Sequence, residues 1–158
     1  MTKEKELTQD QKNLIEVATE MSQKLEAGEG IGTLLGYTED DYALYEKNMY
    51  RLYKTGRYED SRMIAQGLFQ LDPSRAYPHF VVGDIELKES NLDGALEHFE
   101  KTLELAPASS MARVKIAEVA LRLDDKPRAR TLLQEVVDNP KASQSQSRRA
   151  RAMLRLTA

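Results

Sequence analysis

The chain has 158 residues, which is enough for one domain of ordinary size that buries a core without disulfides or bound metals. It contains no Cys, which excludes disulfides, Cys-ligated metal sites and thiol nucleophiles and favours a reducing, intracellular location. A net charge of -3 disfavours a nucleic-acid-binding protein. The rest of the composition is typical of an all-α fold, with three Phe, no Trp, five Pro, eight Gly and 31% charged residues.

The N-terminal region, residues 1–41, is predicted to contain a separate amphipathic helix and a link. Between Thr8 and Ala27 apolar residues recur at helical spacing, and Thr8 is a suitable N-cap. The link GEGIGTLLGYTEDD carries four Gly and is predicted to be a hinge around a short apolar turn. Thr38 is expected to cap the next helix, with Asp41 assisting from its first turn. The apolar face of the first helix would serve dimerisation or contact with a partner.

A 34-residue period runs through the middle of the chain, residues 42–141. The segments LYKTGRYEDSRMIAQGLFQLDP, ELKESNLDGALEHFEKTLELAP and ALRLDDKPRARTLLQEVVDNP superimpose when the second and third are shifted back by 34 and 68 residues. The shift aligns small residues, turn residues, apolar residues and closing prolines: Ser61, Ala95 and Ala129; Gly56, Ser90 and Asp124; Leu71 and Leu105; Pro73, Pro107 and, one residue early, Pro140. This is the tetratricopeptide pattern of paired antiparallel helices. We place the three units at residues 42–75, 76–109 and 110–141.

The aligned columns have physical roles in a helix pair. A small residue is expected where the second helix crosses the first, because a bulky side chain there would separate the two helices. Gly56 ends the first helix of its unit in a conformation that is costly for other residues. Pro73 and Pro107 stop the second helices, since Pro lacks an amide proton and clashes with the preceding turn.

The tail, residues 142–158, is predicted to be a basic helix that covers the end of the repeat stack. In KASQSQSRRARAMLRLTA, Ser and Gln give way to four Arg around three larger apolar residues. A cap is expected because terminal repeats need a polar outer face. The alternative is that the Arg-rich helix binds RNA, an acidic lipid surface or an acidic partner, although it lacks the interleaved aromatics on which bases stack.

The first helices of the three units are expected to line a concave groove. Their predicted groove residues are mostly aromatic or apolar: Tyr50, Tyr53, Tyr77, Phe80, Asp84, Leu87, Val114 and Leu121. Such a groove would lower solubility unless it is covered, and aromatic anchors with a charged rim suit an extended peptide with apolar side chains. Glu46 and Tyr50 occupy the positions where carboxylate-clamp tetratricopeptide domains use Lys and Asn, which disfavours that function. The alternative for any single ring is that it packs between repeats.

The sequence offers no set of groups that would make an enzyme or a metal centre. His79 and His98 are the only histidines, and neither is predicted to have a partner imidazole at metal-ligand spacing. The acidic cluster at residues 39–41 fits a helix start, which favours negative charge. GEGIG follows a predicted helix rather than a strand and lacks the spacing of a dinucleotide fingerprint. We find neither a targeting segment nor an apolar run long enough to cross a bilayer.

The stretch from Gly30 to Pro107, and more loosely to Pro140, resembles the class II chaperones of bacterial type III secretion, which hold hydrophobic translocator proteins before export. The resemblance rests on the leading helix, the link GIGTLLGYTEDD, the motif LYKTGRYEDS with LFQLDP, and two further units. It implies a cytoplasmic, often dimeric, all-α protein whose groove takes a short Pro- and Leu-containing translocator segment. Tyr50 and Tyr53 correspond to the groove aromatics of that family. Three positions depart from its pattern: Ser61 stands for Ala, Ala65 for an aromatic residue and Ser90 for Gly.

From the groove and the resemblance we expect a non-enzymatic secretion chaperone without a cofactor. It would keep an aggregation-prone protein client soluble by occupying an extended apolar segment, and it would form a homodimer without binding nucleic acid or inserting stably into membranes. The alternative is a tetratricopeptide scaffold or assembly factor that joins folded partners.

Overall fold

The computed structural model describes residues 8–158, and within them the chain is helical without β-strands. The predicted all-α class is therefore confirmed. The elements are α1 Gln9–Glu26, α2 Ile31–Leu34, α3 Glu39–Lys54, α4 Tyr58–Leu71, α5 Ala76–Lys88, α6 Leu92–Leu105, α7 Ser110–Arg122, α8 Lys126–Asp138, α9 Gln144–Leu154 and a final 3-10 turn Arg155–Thr157. Residues 1–7 of the predicted N-terminal region lie outside the described residues. Among the described helices, none has the length and apolar character of a membrane span.

Helices α3 to α8 form three antiparallel pairs, α3 with α4, α5 with α6 and α7 with α8. Each pair also packs on the next through α4 with α5 and α6 with α7, and α9 packs on α8 and α7. The predicted stack of three helix pairs closed by a C-terminal helix is confirmed. Helices α5 and α7 begin at the predicted unit starts, whereas α3 begins three residues before residue 42 because Thr38 caps it.

The turn inside each pair uses the left-handed backbone conformation at the same repeat position. Gly56, Ser90 and Asp124 have φ angles of 77°, 64° and 60°. The turn column identified from the sequence is therefore confirmed. At this conformation a side chain costs roughly 1–2 kcal/mol relative to Gly, so the turns of the second and third units carry strain that the first avoids.

The predicted small-residue column lies in the core, as expected. Ala95 and Ala129 are fully buried, and so is Ser61, whose hydroxyl donates to the carbonyl oxygen of Met49 at 3.0 Å. That hydrogen bond satisfies a buried polar group at a position where the family pattern has Ala. Ser61 is thus accommodated in the helix crossing without an unpaired hydroxyl.

The core follows the repeats as three adjoining clusters. The cluster of the first unit includes Ile85 from α5, that of the second unit includes Ile116 from α7, and that of the third unit includes Ala150 from α9. Burial of one large aliphatic side chain stabilises a fold by roughly 1.5–3 kcal/mol. Each unit therefore depends on the following helix to complete its core, as expected for stacked repeats.

The Gly-rich link is docked on the first unit, so its interpretation as a hinge is wrong for residues 30–34. The short helix α2 packs against α4, and Gly32 is buried. A Cβ atom on Gly30 would collide with the carbonyl oxygen of Leu71, and one on Gly32 would collide with the hydroxyl of Tyr42. These two glycines therefore permit close packing. Gly28 and Gly36, with φ angles of 81° and 77°, form the turns on either side of the docked segment.

A capping box fixes the start of α3, as predicted. The Thr38 hydroxyl accepts a hydrogen bond from the Asp41 amide at 3.3 Å, and the Asp41 carboxylate accepts one from the Thr38 amide at 2.8 Å. These bonds satisfy two backbone donors that a helix start leaves without intrahelical partners. The Thr38 hydroxyl also donates to the Asp41 carboxylate at 2.7 Å, and this bond, followed by the bond from the Thr38 amide, lowers the pKa of the Asp41 carboxyl. The first groove helix thereby has a defined beginning beside the docked link.

Candidate peptide-binding groove

The side chains of α3, α5 and α7 meet on one face of the stack, which we call the groove. The rings of Tyr50 on α3 and Tyr77 on α5 lie 6.5 Å apart between centroids. The hydroxyl of Tyr53 donates to the Asp84 carboxylate at 3.2 Å, and Lys115 on α7 approaches the same carboxylate at 2.5 Å. Four of the predicted groove residues are therefore brought together across the first two units.

One end of the groove is aromatic. Tyr50 is 44% exposed and Tyr77 is 38% exposed, which leaves both rings available to a ligand. Tyr53 is half-buried beside Tyr50, at a centroid separation of 5.8 Å, and burial, followed by the charge of Asp84, raises its pKa. Tyr53 therefore supports the surface formed by the other two rings and offers only part of its own ring.

A small apolar pocket continues this aromatic end toward the third unit. Its volume is about 230 Å³, and it lies where α5, α6 and α7 converge. Phe80 is half-buried in its wall and packs on Phe99 at a centroid distance of 5.6 Å. The lining residues are Ala76, Tyr77, Phe80, Thr102, Ala106, Ser109 and Met111. The pocket has the composition to take one apolar side chain from a bound segment.

The other end of the groove is charged. Glu118 on α7 lies 3.6 Å from Lys115, 3.4 Å from Arg122 and 2.8 Å from Arg149 of α9. With the contact between Lys115 and Asp84, these ion pairs connect α5, α7 and α9. Lys115 and Asp84 are each only 14% exposed, so this pair belongs to the floor of the groove rather than to its rim.

Three predicted groove residues contribute less surface than expected. Leu87 is 3% exposed and Val114 is 2% exposed, so their prediction as exposed groove residues is wrong. Leu87 packs in the cluster that includes Ile116 of the next unit, while Val114 packs in the cluster of the third unit. Leu121 is half-buried against that same cluster. The exposed apolar surface is therefore concentrated near the junction of the first two units.

Two kinds of groove residue lie outside the set of eight that the sequence analysis selected. Met111 is 45% exposed and lines the apolar pocket, at the same repeat position as Tyr77, so the repeat alignment held the signal for it. Arg149 reaches Glu118 from outside the repeats, and the 34-residue period carried no signal for that contact.

The two histidines are neighbours, which corrects the expectation that neither has a partner imidazole. The Nδ1 atoms of His79 and His98 lie 3.1 Å apart, and the ring of Phe69 stacks on His79 at 4.2 Å between centroids. The cleft they line shares no lining residue with the apolar pocket. No group of three or more potential metal ligands occurs within residues 8–158.

Comparison with known proteins identifies tetratricopeptide-repeat models and solved structures of the same fold. Two family models, both described as tetratricopeptide repeat, match residues 50–110 and 86–154. The structure of the Yersinia enterocolitica type III secretion translocator chaperone SycD is similar, with a TM-score of 0.73 and 21% identity over 81% of this chain and 98% of that chain. No curated protein matches the sequence.

Two similar structures contain a bound segment. SycD in complex with a peptide of the translocator YopD has a TM-score of 0.68 at 20% identity, covering 76% of this chain and 94% of that chain. Pseudomonas aeruginosa PcrH in complex with the chaperone binding region of PopD has a TM-score of 0.68 at 21% identity, covering 77% of this chain and 94% of that chain. At these identities the likeness establishes a shared fold.

Proposed function

We propose that this chain, which matches two tetratricopeptide-repeat models, is a non-enzymatic chaperone that binds an extended apolar segment of a type III secretion translocator in its groove. The observation that carries the proposal is the exposed pair Tyr50 and Tyr77 beside an apolar pocket of about 230 Å³. Large rigid rings next to a concave apolar site are suited to anchor side chains of an extended peptide. The client would be kept soluble in the cytoplasm because its aggregation-prone segment is covered.

The charged end of the groove would contribute less to client binding than the aromatic end. Asp84, Lys115 and Glu118 already satisfy one another through ion pairs, so a client gains little there from new charge pairing. Apolar anchoring should therefore dominate affinity, and the affinity should depend only weakly on salt. The structures of SycD with a YopD peptide and of PcrH with a PopD segment support this assignment through their shared fold.

The function is tested by coexpression with a hydrophobic translocator from the same host. We expect the client to remain soluble with the unaltered chain, and Tyr50→Ala and Tyr77→Ala each to weaken binding of the client segment by more than about 1 kcal/mol. Tyr45→Ala is the matched control, since Tyr45 lies on the same helix and is 38% exposed but stacks on Tyr37 outside the groove. Circular dichroism checks that each variant is folded.

Two outcomes would contradict the proposal. Insoluble client in the presence of the folded chain would argue for a scaffold that joins folded partners. Equal loss of binding in the Tyr45→Ala and Tyr50→Ala variants would show that the client does not use the groove.

We also propose that α1 joins two copies of the chain. Its apolar residues recur at helical spacing yet remain exposed, including Leu14 at 71%. A second copy of the same face would cover them. Leu14→Glu together with Met21→Glu should convert a dimer to a monomer in analytical ultracentrifugation while the helical circular dichroism signal is kept. A monomeric unaltered chain at micromolar concentration would contradict this part of the proposal.

A further inference from the structure

The two histidines of the chain form an isolated imidazole pair between α5 and α6. The Nδ1 atoms of His79 and His98 are 3.1 Å apart and their ring centroids are 5.3 Å apart. Both side chains are half-buried, and Phe69 stacks against them at centroid distances of 4.2 and 6.2 Å. Because the sequence contains two His and no Cys, every imidazole or thiolate donor of the protein is in this pair.

The spacing suits two ligands of one metal ion. Zn²⁺ binds imidazole nitrogen at about 2.0–2.1 Å, so two nitrogens of a tetrahedral site lie roughly 3.3–3.4 Å apart. The observed separation of 3.1 Å is close to that value. Ligation requires both Nδ1 lone pairs to point to a common position, so the rings must turn from their hydrogen-bonded orientation. The packing of α5 on α6 holds the two rings next to each other.

The contact between the two rings is compatible with metal binding. The two Nδ1 atoms lie within hydrogen-bond distance, so one Nδ1–H donates to the other Nδ1. When a metal replaces this hydrogen bond, the donor ring takes its proton on Nε2 instead. The exchange therefore needs no net proton release.

The surroundings of the pair are acidic. The imidazoles open to a cleft of about 540 Å³ lined by four carboxylates. Two of them are already paired, Glu100 with Arg128 and Glu104 with Lys101, which leaves Asp93 and Glu97 as the acidic groups that face a cation. Such a lining attracts a cation to the cleft. No third protein ligand completes the set among the residues that the structure describes, so water would occupy the remaining coordination positions.

We propose that His79 and His98 form a two-imidazole site for a divalent transition-metal ion of the Zn²⁺ class, which clamps α5 to α6. Imidazole ligands select such ions over Mg²⁺ and Ca²⁺, which prefer oxygen. An ion that binds the folded state but not the unfolded chain stabilises the second repeat by mass action. The site goes beyond the proposed chaperone function, because its cleft is separate from the apolar pocket of the groove.

The test uses the full, untagged chain after treatment with a chelator, titrated with Zn²⁺ alone. Nuclear magnetic resonance of the imidazole groups is direct here, because the chain has two His. We expect both sets of resonances to shift or broaden together as one equivalent of Zn²⁺ is added, and Mg²⁺ to leave them unchanged. Resonances that do not respond to one equivalent of Zn²⁺ would overturn the proposal without any need for a variant.

Variants identify the ligands. His79→Gln and His98→Gln should each weaken Zn²⁺ binding by at least about tenfold in calorimetry, since even supporting residues of metal sites contribute that much. Each should also lose the rise in melting temperature that Zn²⁺ gives the unaltered chain. Glu100→Gln is the matched control from the same cleft, because Glu100 already pairs with Arg128. Equal loss of binding in the Glu100→Gln variant, or undiminished binding in the His98→Gln variant, would assign the ion to carboxylates and refute the imidazole site.

Discussion

The two terminal helices, α1 and α9, have similar sequence patterns and opposite environments. Both carry apolar residues at helical spacing among charged and polar ones. In α9, Ala150 is fully buried, and Met153 and Leu154 pack against the core cluster of the third unit. In α1, Leu14 and its apolar neighbours remain exposed. Periodicity therefore specifies which face of a helix is apolar, whereas an uncovered core nearby decides whether that face is buried within the same chain.

Polar contacts add to the difference between the two helices. Arg149 of α9 pairs with Glu118 at 2.8 Å, and Arg130 of α8 donates to the hydroxyl of Thr157 at 3.2 Å. The Arg-rich tail is thus partly engaged by the body of the protein, which supports its interpretation as a cap. In α1, the salt bridge between Lys24 and Glu20 lies within the helix and connects it to nothing else.

Removal of residues 144–158 should have the largest effect on stability. The deletion uncovers the cluster beneath Ala150 and loses the burial of Met153 and Leu154, so we expect the free energy of unfolding to fall by about 3 kcal/mol or more. Urea unfolding followed by circular dichroism measures this free energy. Removal of residues 1–28 is the control, and in dilute solution it should change the value by less than about 0.5 kcal/mol. Similar losses from both deletions would show that α1 is as strongly attached as α9.

A matched pair of single substitutions tests the same contrast without shortening the chain. Ala150→Asp places a carboxylate in a fully buried site and should cost about 3 kcal/mol or more, because the charged group loses its hydration there. Ala18→Asp introduces the same group on the exposed surface of α1, and in dilute solution, where α1 has no second copy to contact, the change should stay within about 0.5 kcal/mol. Thermal melts of the two variants measure the difference, and equal melting temperatures would contradict it.

Gly32→Ala locates the point at which the N-terminal region becomes attached to the body. The added methyl group would collide with the Tyr42 hydroxyl, which donates to the Leu71 carbonyl at 3.3 Å. We expect a loss of about 1–3 kcal/mol in urea unfolding, as for other overpacked sites. Gly67→Ala is the control, since Gly67 lies in α4 with no atom within 4 Å of an added Cβ, and Ala should stabilise the helix by roughly 0.5–1 kcal/mol. A neutral Gly32→Ala variant would restore the hinge interpretation.

The smallest expected change in the free energy of unfolding comes from the turns inside the helix pairs. Ser90→Gly relieves a left-handed turn residue and should raise the free energy of unfolding by roughly 0.5 kcal/mol, the gain being reduced by the greater flexibility of unfolded Gly. Gly56→Ala should destabilise the equivalent turn of the first unit by about 1 kcal/mol. Urea midpoints that move in the same direction for both variants would contradict the shared role of these positions.

Much of the fold follows from local rules that the sequence displays. The small residues at the helix crossing, the turn column and the Thr38 cap were predictable, because each depends on contacts within one helix pair or one helix end. The burial of Leu87 was not, since it depends on how α7 stacks over the preceding unit. The docked link was also missed, because four glycines indicate flexibility and close packing equally well.

The histidine pair shows a signal that sequence reasoning had available. In an antiparallel helix pair, residues at equal distances before and after the turn lie side by side. With the turn at Ser90, His79 therefore lies beside Lys101, and His98 is one helical turn away from Lys101. Sequence separation alone suggested two isolated imidazoles, whereas the antiparallel geometry brings their nitrogens to 3.1 Å. Candidate sites in repeat proteins are therefore better sought across the hairpin than along the chain.

The distribution of tyrosine gives the molecule a built-in optical reporter. All seven Tyr lie between residues 37 and 77, where ring contacts join Tyr50 to Tyr53 and Tyr77, and the chain has no Trp. Intrinsic tyrosine emission therefore observes the end of the link, the first unit and the start of the second, while far-ultraviolet ellipticity observes every helix. A difference between the two denaturation curves would reveal directly whether the array melts from one end or as a whole.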